Sequence, residues 1–265
     1  DMLRDNLVKL GVADALDKLG EKYFQTEFLN EDRLPDSQGG PVLLVMNHTA
    51  FFGLEVYLLG SRLFSRDPDF DYRTLVWKGF AEGAAGPWFR AMGCETISIE
   101  RGSTLLEQGR NVLVLPEGVG ATDVRNRFNA FRTGYLRILK EHPVPIIPIG
   151  FSGVDEAIPW WVSRNQFLAN TFMKPVDPSF DFFLVPKMPI PRPTKVVFNV
   201  GEPIHLSAGD LSTEAGIQAQ NEAVKSVVTG LADEAEAHRQ ASIEHSTVNR
   251  WWHRLAAGRI QELPF

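Results

Sequence analysis

Short apolar runs recur along the chain, separated by stretches whose apolar positions follow helical spacing. The first run, Val42–Met46, is short and continuous enough to predict a buried strand. The same pattern predicts further strands at Thr74–Trp77, Thr96–Ile99, Asn111–Leu115, Val144–Ile149 and Lys195–Val200. Because helical patterning lies between several of these runs, we predict an α/β fold with a mostly parallel central sheet flanked by helices. Folds of this class place their functional sites at the carboxyl ends of the strands.

Helical periodicity predicts an N-terminal amphipathic helix over residues 5–23, where leucines recur at Leu7, Leu10, Leu16 and Leu19. A second helix is predicted at Leu54–Leu63, before a loop at Arg66–Asp71, and a long alanine-rich helix at Thr213–Ala241. The chain has no internal repeat or long linker. Its 265 residues therefore predict a single domain over 1–265, with a motif core at 42–151 and a C-terminal helical tail at 213–265.

Composition narrows the classes of function. A net charge of −6 and a pI near 5.6 argue against a nucleic-acid-binding protein, which needs a broad basic face. No run approaches the roughly 18 to 20 apolar residues that a membrane-spanning helix needs. The start at Asp1 does not have the pattern of a signal peptide, and the missing Met indicates that some N-terminal sequence has been trimmed. Cys94 is the single cysteine, which favours a reducing, cytoplasmic location.

The first chemical motif, Asn47 to Glu55, directly follows the predicted strand Val42–Met46. His48 at this strand-to-helix junction could present its ring to a crevice. One ring nitrogen could then accept a proton from a substrate. A carboxylate on the following helix could bind the second ring nitrogen and stabilise the imidazolium that forms. The alternative is that His48 only caps the helix and Glu55 is an ordinary solvated residue.

Two further motifs carry charge at predicted strand ends. In Gly93–Gly102 an alternating pattern predicts a strand that ends at Arg101, whose guanidinium could hold a phosphate, although a surface charge is an equal alternative. In the run that ends Pro116-Glu117-Gly118, a tight turn carries a carboxylate that needs a donor from the protein or from a substrate. The alternative for Glu117 is a carboxylate that bonds backbone amides of the turn.

A fourth motif, Val144–Gly150, predicts a buried strand whose prolines favour an edge or a groove wall. By itself this run indicates only a core strand. Cys94 has no basic neighbour in sequence that would activate it, so a packed thiol is favoured over a nucleophile. The six histidines are scattered without the spacing of metal ligands, so no metal site is predicted.

In this order, the four motifs resemble the conserved blocks of the glycerolipid and lysophospholipid acyltransferase superfamily, whose members include 1-acylglycerol-3-phosphate acyltransferases. The segments Phe131–Leu136 and Gly201–Ile204 resemble other parts of the same superfamily. The resemblance implies an acyltransferase-type fold in a single acyltransferase domain. It also implies transfer of a fatty acyl group from acyl-CoA or acyl-carrier protein to a hydroxyl of a glycerolipid or lysophospholipid, with His48 as general base. It implies no cofactor.

One position departs from the superfamily pattern. The usual Asp five residues after the histidine is Gly53 here, whereas the branch that includes monoacylglycerol and diacylglycerol acyltransferases has an acid close to the position of Glu55. The resemblance therefore assigns His48 and Glu55 as the catalytic pair, with Glu95 or Glu117 as the alternative acid. It assigns substrate binding to Arg101, Glu117 and Gly118. Backbone amides near the Pro116-Glu117-Gly118 turn could stabilise the oxyanion that forms during acyl transfer.

A lipid acceptor implies that the protein contacts a membrane. The resemblance also implies a role in phospholipid biosynthesis. Trp160-Trp161 and the segment Arg250–Leu255 are candidates for a peripheral contact, because indole rings favour the interface; a core or dimer role is the equal alternative. Two other functions remain open. One is acyl transfer to a non-glycerolipid hydroxyl or amine, such as a sugar, an amino-acid lipid or a natural product. The other is a non-catalytic lipid-binding relative, which Gly53 in place of Asp suggests.

Overall fold

The computed structural model describes residues 11–49, 53–83, 86–118, 130–157, 160–174, 183–186, 191–244 and 260–262. Its strands are β1 (Glu27–Leu29), β2 (Leu43–Met46), β3 (Tyr72–Val76), β4 (Cys94–Thr96), β5 (Asn111–Val114), β6 (Ile146–Ser152), β7 (Trp160–Ser163), β8 (Phe183–Pro186), β9 (Val197–Val200) and β10 (Ile260–Glu262). Its helices are α1 (Val12–Tyr23), α2 (Leu54–Arg66), α3 (Lys78–Ala81), α4 (Gly86–Ala91), α5 (Ile99–Glu107), α6 (Gly134–Glu141), α7 (Val154–Ala157), α8 (Gln166–Leu168, continued by a π-turn at Ala169–Met173) and α9 (Glu214–Glu244).

Seven strands form the main sheet, in the order β1-β9-β6-β2-β5-β3-β4. The strands from β6 to β4 in that order are mutually parallel, whereas β9 is antiparallel to β6 and β1 is parallel to β9. The prediction of a mostly parallel sheet flanked by helices is therefore confirmed. The strands β10, β7 and β8 form a separate small sheet.

The two faces of the sheet bury different side chains of the same strand, as the period of two requires. On β2, Leu44 and Met46 join one apolar cluster, while Leu43 and Val45 join the cluster on the other face. The first cluster includes residues of α2, and the second includes residues of α5, α6 and α9. These layers hold β2 rigidly in the centre of the sheet, so its carboxyl end is a firm base for a site.

Helix α9 crosses β6 at very close range. A methyl group placed on Gly150 would lie 2.2 Å from the backbone nitrogen of Ala232, so only glycine permits this approach. The helix ends at Glu244 among the described residues, and β10 lies beyond it. The prediction of a wholly helical tail over 213–265 is therefore wrong at residues 260–262, while residues 245–259 lie outside the described part.

Two further expectations need correction. The strand predicted at Thr96–Ile99 is instead β4, Cys94–Thr96, because the Ser98 hydroxyl caps α5 by accepting the N–H of Arg101 at 2.9 Å. The prolines of Val144–Gly150 do not mark an edge, since β6 lies between β9 and β2. Pro148 is tolerated there because the ladder with β9 starts at Ile149, beyond the residue that has no N–H to donate.

Candidate active site

His48 lies just beyond the carboxyl end of β2, and Glu55 lies in the first turn of α2. The backbone between them includes Gly53, which takes a left-handed conformation at φ 58° and ψ 36° and caps the helix start. The chain thereby brings the Nδ1 atom of His48 to 2.5 Å from Oε1 of Glu55. The structure thus places together the two residues that the sequence paired across the glycine.

Glu55 is completely buried, at 0% exposure. Its Oε2 atom accepts the hydroxyl of Thr49 at 3.1 Å, while Oε1 faces the His48 ring. A buried carboxylate is costly unless it is bonded in this way. Thr49 is a site residue that the sequence analysis missed, although its place directly after the histidine is the signal that could have found it.

The ring of His48 carries a raised pKa. Burial disfavours the protonated ring, but the neighbouring Glu55 carboxylate, together with Glu117 and Asp155, more than offsets burial and raises the pKa of His48. Because Nδ1 is bound to Glu55, the Nε2 atom carries the lone pair of the neutral ring. About one-fifth of the side chain is exposed, at 20%, so the ring remains open on one side.

Asn47 fixes the backbone that carries His48. Its side-chain oxygen accepts the N–H of Phe151 at 2.9 Å, and its amide donates to the carbonyl of Phe151 at 3.2 Å. This two-way contact joins the end of β2 to the end of its neighbour β6. This contact could not be predicted from the sequence, because 104 residues separate the partners.

Glu117, predicted to bind substrate, contacts the backbone of His48 at this site. The side chain is only 3% exposed, and its Oε1 atom accepts the backbone N–H of His48 at 2.9 Å. The adjacent Gly118 is left-handed at φ 54°, and its N–H donates to the carbonyl of Leu115. The amide of Gly118 is therefore engaged within the turn.

These contacts predict different effects for two substitutions of Glu117. Glu117→Gln retains an oxygen that accepts the His48 N–H, whereas Glu117→Ala removes it and frees the histidine to shift. We expect the alanine variant to lose about 10²-fold in kcat, since small misplacements of a catalytic group have effects of this size, and the glutamine variant to lose far less. Steady-state kinetics of both variants measure this. A rise in KM for the acceptor in both variants, with kcat retained, would instead support head-group binding.

Arg101 lies in the first turn of α5 and not at a strand end. Its Nη2 and Nε atoms contact the Glu95 carboxylate at 2.8 Å and 3.3 Å, so the guanidinium is paired. Strand β4 is three strands from β2, roughly 14 Å at the usual strand spacing. Arg101 and His48 therefore both lie beyond the carboxyl ends of the strands, but they are too far apart to be in contact. Glu95, the alternative orienting acid, serves Arg101 and not the histidine.

The end of β6 is held by a buried charge network. Arg239 of α9 is 0% exposed and binds Glu156 of α7 at 2.9 and 3.0 Å and Glu236 at 2.8 and 3.0 Å. Burial opposes ionisation of Glu236, but bonds from Arg239 and Ser152 lower its pKa far below the usual range. This network fixes α7, which carries Asp155, one of the carboxylates that raise the pKa of His48.

The remaining candidates contribute less. Burial, with a smaller effect of Glu95, raises the pKa of the Cys94 thiol to about 12, so the thiol is packed and unreactive. Among the described residues, no group of three His, Cys, Asp or Glu side chains is arranged to hold a metal ion.

Trp160 and Trp161, candidates for a membrane contact, belong to β7, and Arg250–Leu255 lies outside the described residues. The described helices include none with the length and apolarity to cross a bilayer.

Comparison with known proteins found a matching family model and solved structures with a similar fold. The family model described as "Acyltransferase" matches residues 25–152, a range that contains His48, Glu55, Arg101 and Glu117. A solved structure with a similar fold is the 1-acyl-sn-glycerophosphate (LPA) acyltransferase PlsC from Thermotoga maritima, with a TM-score of 0.56 and 16% identity over 88% of this chain and 84% of that chain. No curated protein sequence matches significantly. At this identity the structural likeness concerns the fold.

Proposed function

We propose that this chain, whose residues 25–152 match the acyltransferase family model, is an acyltransferase that transfers a fatty acyl group from a thioester to a lipid hydroxyl with His48 as general base. The observation that carries the proposal is the contact of His48 Nδ1 with the fully buried carboxylate of Glu55 at 2.5 Å. A buried acid that fixes the tautomer of a partly exposed histidine is the arrangement that general-base catalysis needs.

In the proposed reaction, Nε2 of His48 accepts the proton of the acceptor hydroxyl while the oxygen attacks the thioester carbonyl. The Glu55 carboxylate stabilises the imidazolium that forms. The tetrahedral intermediate then collapses, the C–S bond breaks, and the imidazolium returns its proton to the departing thiolate. An ester and a free thiol result. The acyl group passes directly from donor to acceptor, since the buried Cys94 thiol does not supply a nucleophile.

The donor in this proposal is acyl-CoA or acyl-carrier protein, and no cofactor is needed because a thioester is already activated. The acceptor is a glycerolipid or a lysophospholipid, consistent with the fold shared with a 1-acylglycerophosphate acyltransferase. The same resemblance suggests a role in phospholipid biosynthesis.

A peripheral membrane contact accompanies a lipid acceptor in this proposal. Exposed apolar side chains support it: Trp88 is 57% exposed, Ile97 51% and Phe167 73%. On α1, Leu16 and Leu19 are exposed as well. Large exposed apolar side chains of this kind can insert into the boundary between head groups and acyl chains.

A direct assay tests the proposal. Purified protein is incubated with labelled oleoyl-CoA or oleoyl-acyl-carrier protein and one acceptor at a time from a set of lysophosphatidic acid, lysophosphatidylcholine, monoacylglycerol and a sugar or amine control. We expect labelled diacyl lipid, identified by mass spectrometry. Transfer only to the sugar or amine would support the non-glycerolipid alternative. Absence of transfer from both donors to every acceptor, with the fold intact by circular dichroism, would contradict the proposal.

A further inference from the structure

The pairing of Arg101 with Glu95 bears on which acceptor the site selects. Glu95 lies on β4 and Arg101 in the first turn of α5, and the Ser98 cap fixes the short connection between them. The Nη2 and Nε atoms contact the two carboxylate oxygens at 2.8 and 3.3 Å, a side-on arrangement that uses the edge an arginine would otherwise offer to a phosphate. The site therefore holds a neutral pair where the superfamily resemblance places a cation.

Among the described residues, the charged groups that raise the pKa of the histidine are carboxylates. Glu55 binds the ring, Glu117 binds the backbone of the same residue, and Asp155 adds to the effect on its pKa. A phosphate dianion that approached Arg101 would be repelled by the negative charge of the Glu95 carboxylate. Two described cations follow the neighbouring strands: Lys78 begins α3, after β3, and Arg132 follows β5 and lies close to Gly118. Both are exposed to solvent, as the Arg101 side chain is in part at 41%, and solvent screens the effect of such charges.

We propose that Glu95 is a specificity-determining residue: by cancelling the charge of Arg101 it selects an uncharged lipid alcohol, such as a monoacylglycerol, over a phosphate monoester. This inference rests on the proposed function. An uncharged head group loses nothing by approaching a neutral pair, whereas a phosphate must compete with the Glu95 carboxylate for the same donors. The residue thereby acts on acceptor choice and not on the chemical step.

The test compares kcat/KM for monooleoylglycerol and for oleoyl lysophosphatidic acid, with oleoyl-CoA as donor and both acceptors in neutral detergent micelles. We expect the wild type to prefer monooleoylglycerol. Glu95→Gln frees the guanidinium, so the ratio of phosphate to neutral acceptor should rise about tenfold, the size expected for one partly screened charge. The gain should disappear in the double variant Glu95→Gln with Arg101→Gln.

Glu100→Gln is the matched control, because Glu100 is an exposed carboxylate next to Arg101 on the same helix. It should leave the acceptor ratio within about twofold of wild type, since exposed surface charges interact weakly. Preference of the wild type for lysophosphatidic acid, or an unchanged ratio in Glu95→Gln, would overturn this inference alone. Lack of transfer to either acceptor would overturn the proposed function, and this inference with it.

Discussion

Replacement of His48 by alanine is expected to lower the rate of acyl transfer by about 10²–10⁴-fold, the usual effect of losing a general base. The physical reason is that the variant loses the ring nitrogen that, in the proposed reaction, accepts the proton of the acceptor hydroxyl and returns it to the thiolate. Initial rates with saturating donor and acceptor measure the effect. A variant that keeps more than about a tenth of the wild-type rate would remove His48 from the mechanism.

The control for this prediction is His205→Ala, since His205 is exposed and is placed in no part of the site. The alanine variant at position 48 also removes the ring that contacts the buried Glu55 and leaves its bond from Thr49. A buried carboxylate that loses a partner can destabilise a fold. His48→Asn keeps an amide that can donate to Glu55, so it separates the two effects. A low rate in both variants, with unfolding temperatures close to wild type for the asparagine, would assign the loss to chemistry.

Replacement of Glu55 by glutamine is expected to lower kcat steeply, by about 10²-fold or more, with little change in KM. Glutamine can retain a hydrogen bond to the ring but supplies no charge to stabilise the imidazolium. The first result that would contradict the pairing is a kcat near that of wild type. Glu100→Gln serves again as a control for the loss of a carboxylate elsewhere.

The same variant should change the pH dependence. The base must be neutral, so the rate rises with pH as His48 loses its proton and levels off above its pKa. The Glu55 carboxylate raises that pKa in the wild type. Its loss should therefore move the midpoint of the kcat/KM profile to lower pH, while the plateau falls. A midpoint that stays in place or moves upward would show that Glu55 does not interact with the base.

Much of the central sheet could be predicted from the sequence, because β2, β5 and β6 are buried runs whose apolar character is visible without knowledge of their neighbours. The contact of Glu55 with His48 was also predictable, since both residues and Gly53 lie within one short segment. The edge strand β1 and the strands of the small sheet were missed. They are short, and nothing local indicates the strand that each will pair with.

The contacts that support the site were beyond prediction for the same reason. Asn47 and Phe151 meet because β2 and β6 are neighbours, and Arg239 meets Glu156 because α9 crosses β6. The contact of Glu117 with the backbone of His48 could not be predicted either, since a sequence cannot distinguish a carboxylate that awaits a substrate from one that bonds a backbone N–H. Arg101 was placed at a strand end because the capping hydroxyl of Ser98 was overlooked.

The pairing of β1 with β9 has a consequence for the order in which the chain assembles. Glu27 lies in register with Val197, so β1 is synthesised long before the strand beside which it belongs. The strands that precede His48 and Glu117 are β2 and β5, which pair directly and can come together once β5 has emerged from the ribosome. The partner of β1 in the sheet, β9, is made much later. Contacts so distant in sequence slow folding, and an unpaired strand edge invites association with other chains. The nascent protein therefore carries an unpaired strand, and with it a risk of aggregation, in the interval after β2 and β5 have met and before β9 has been made.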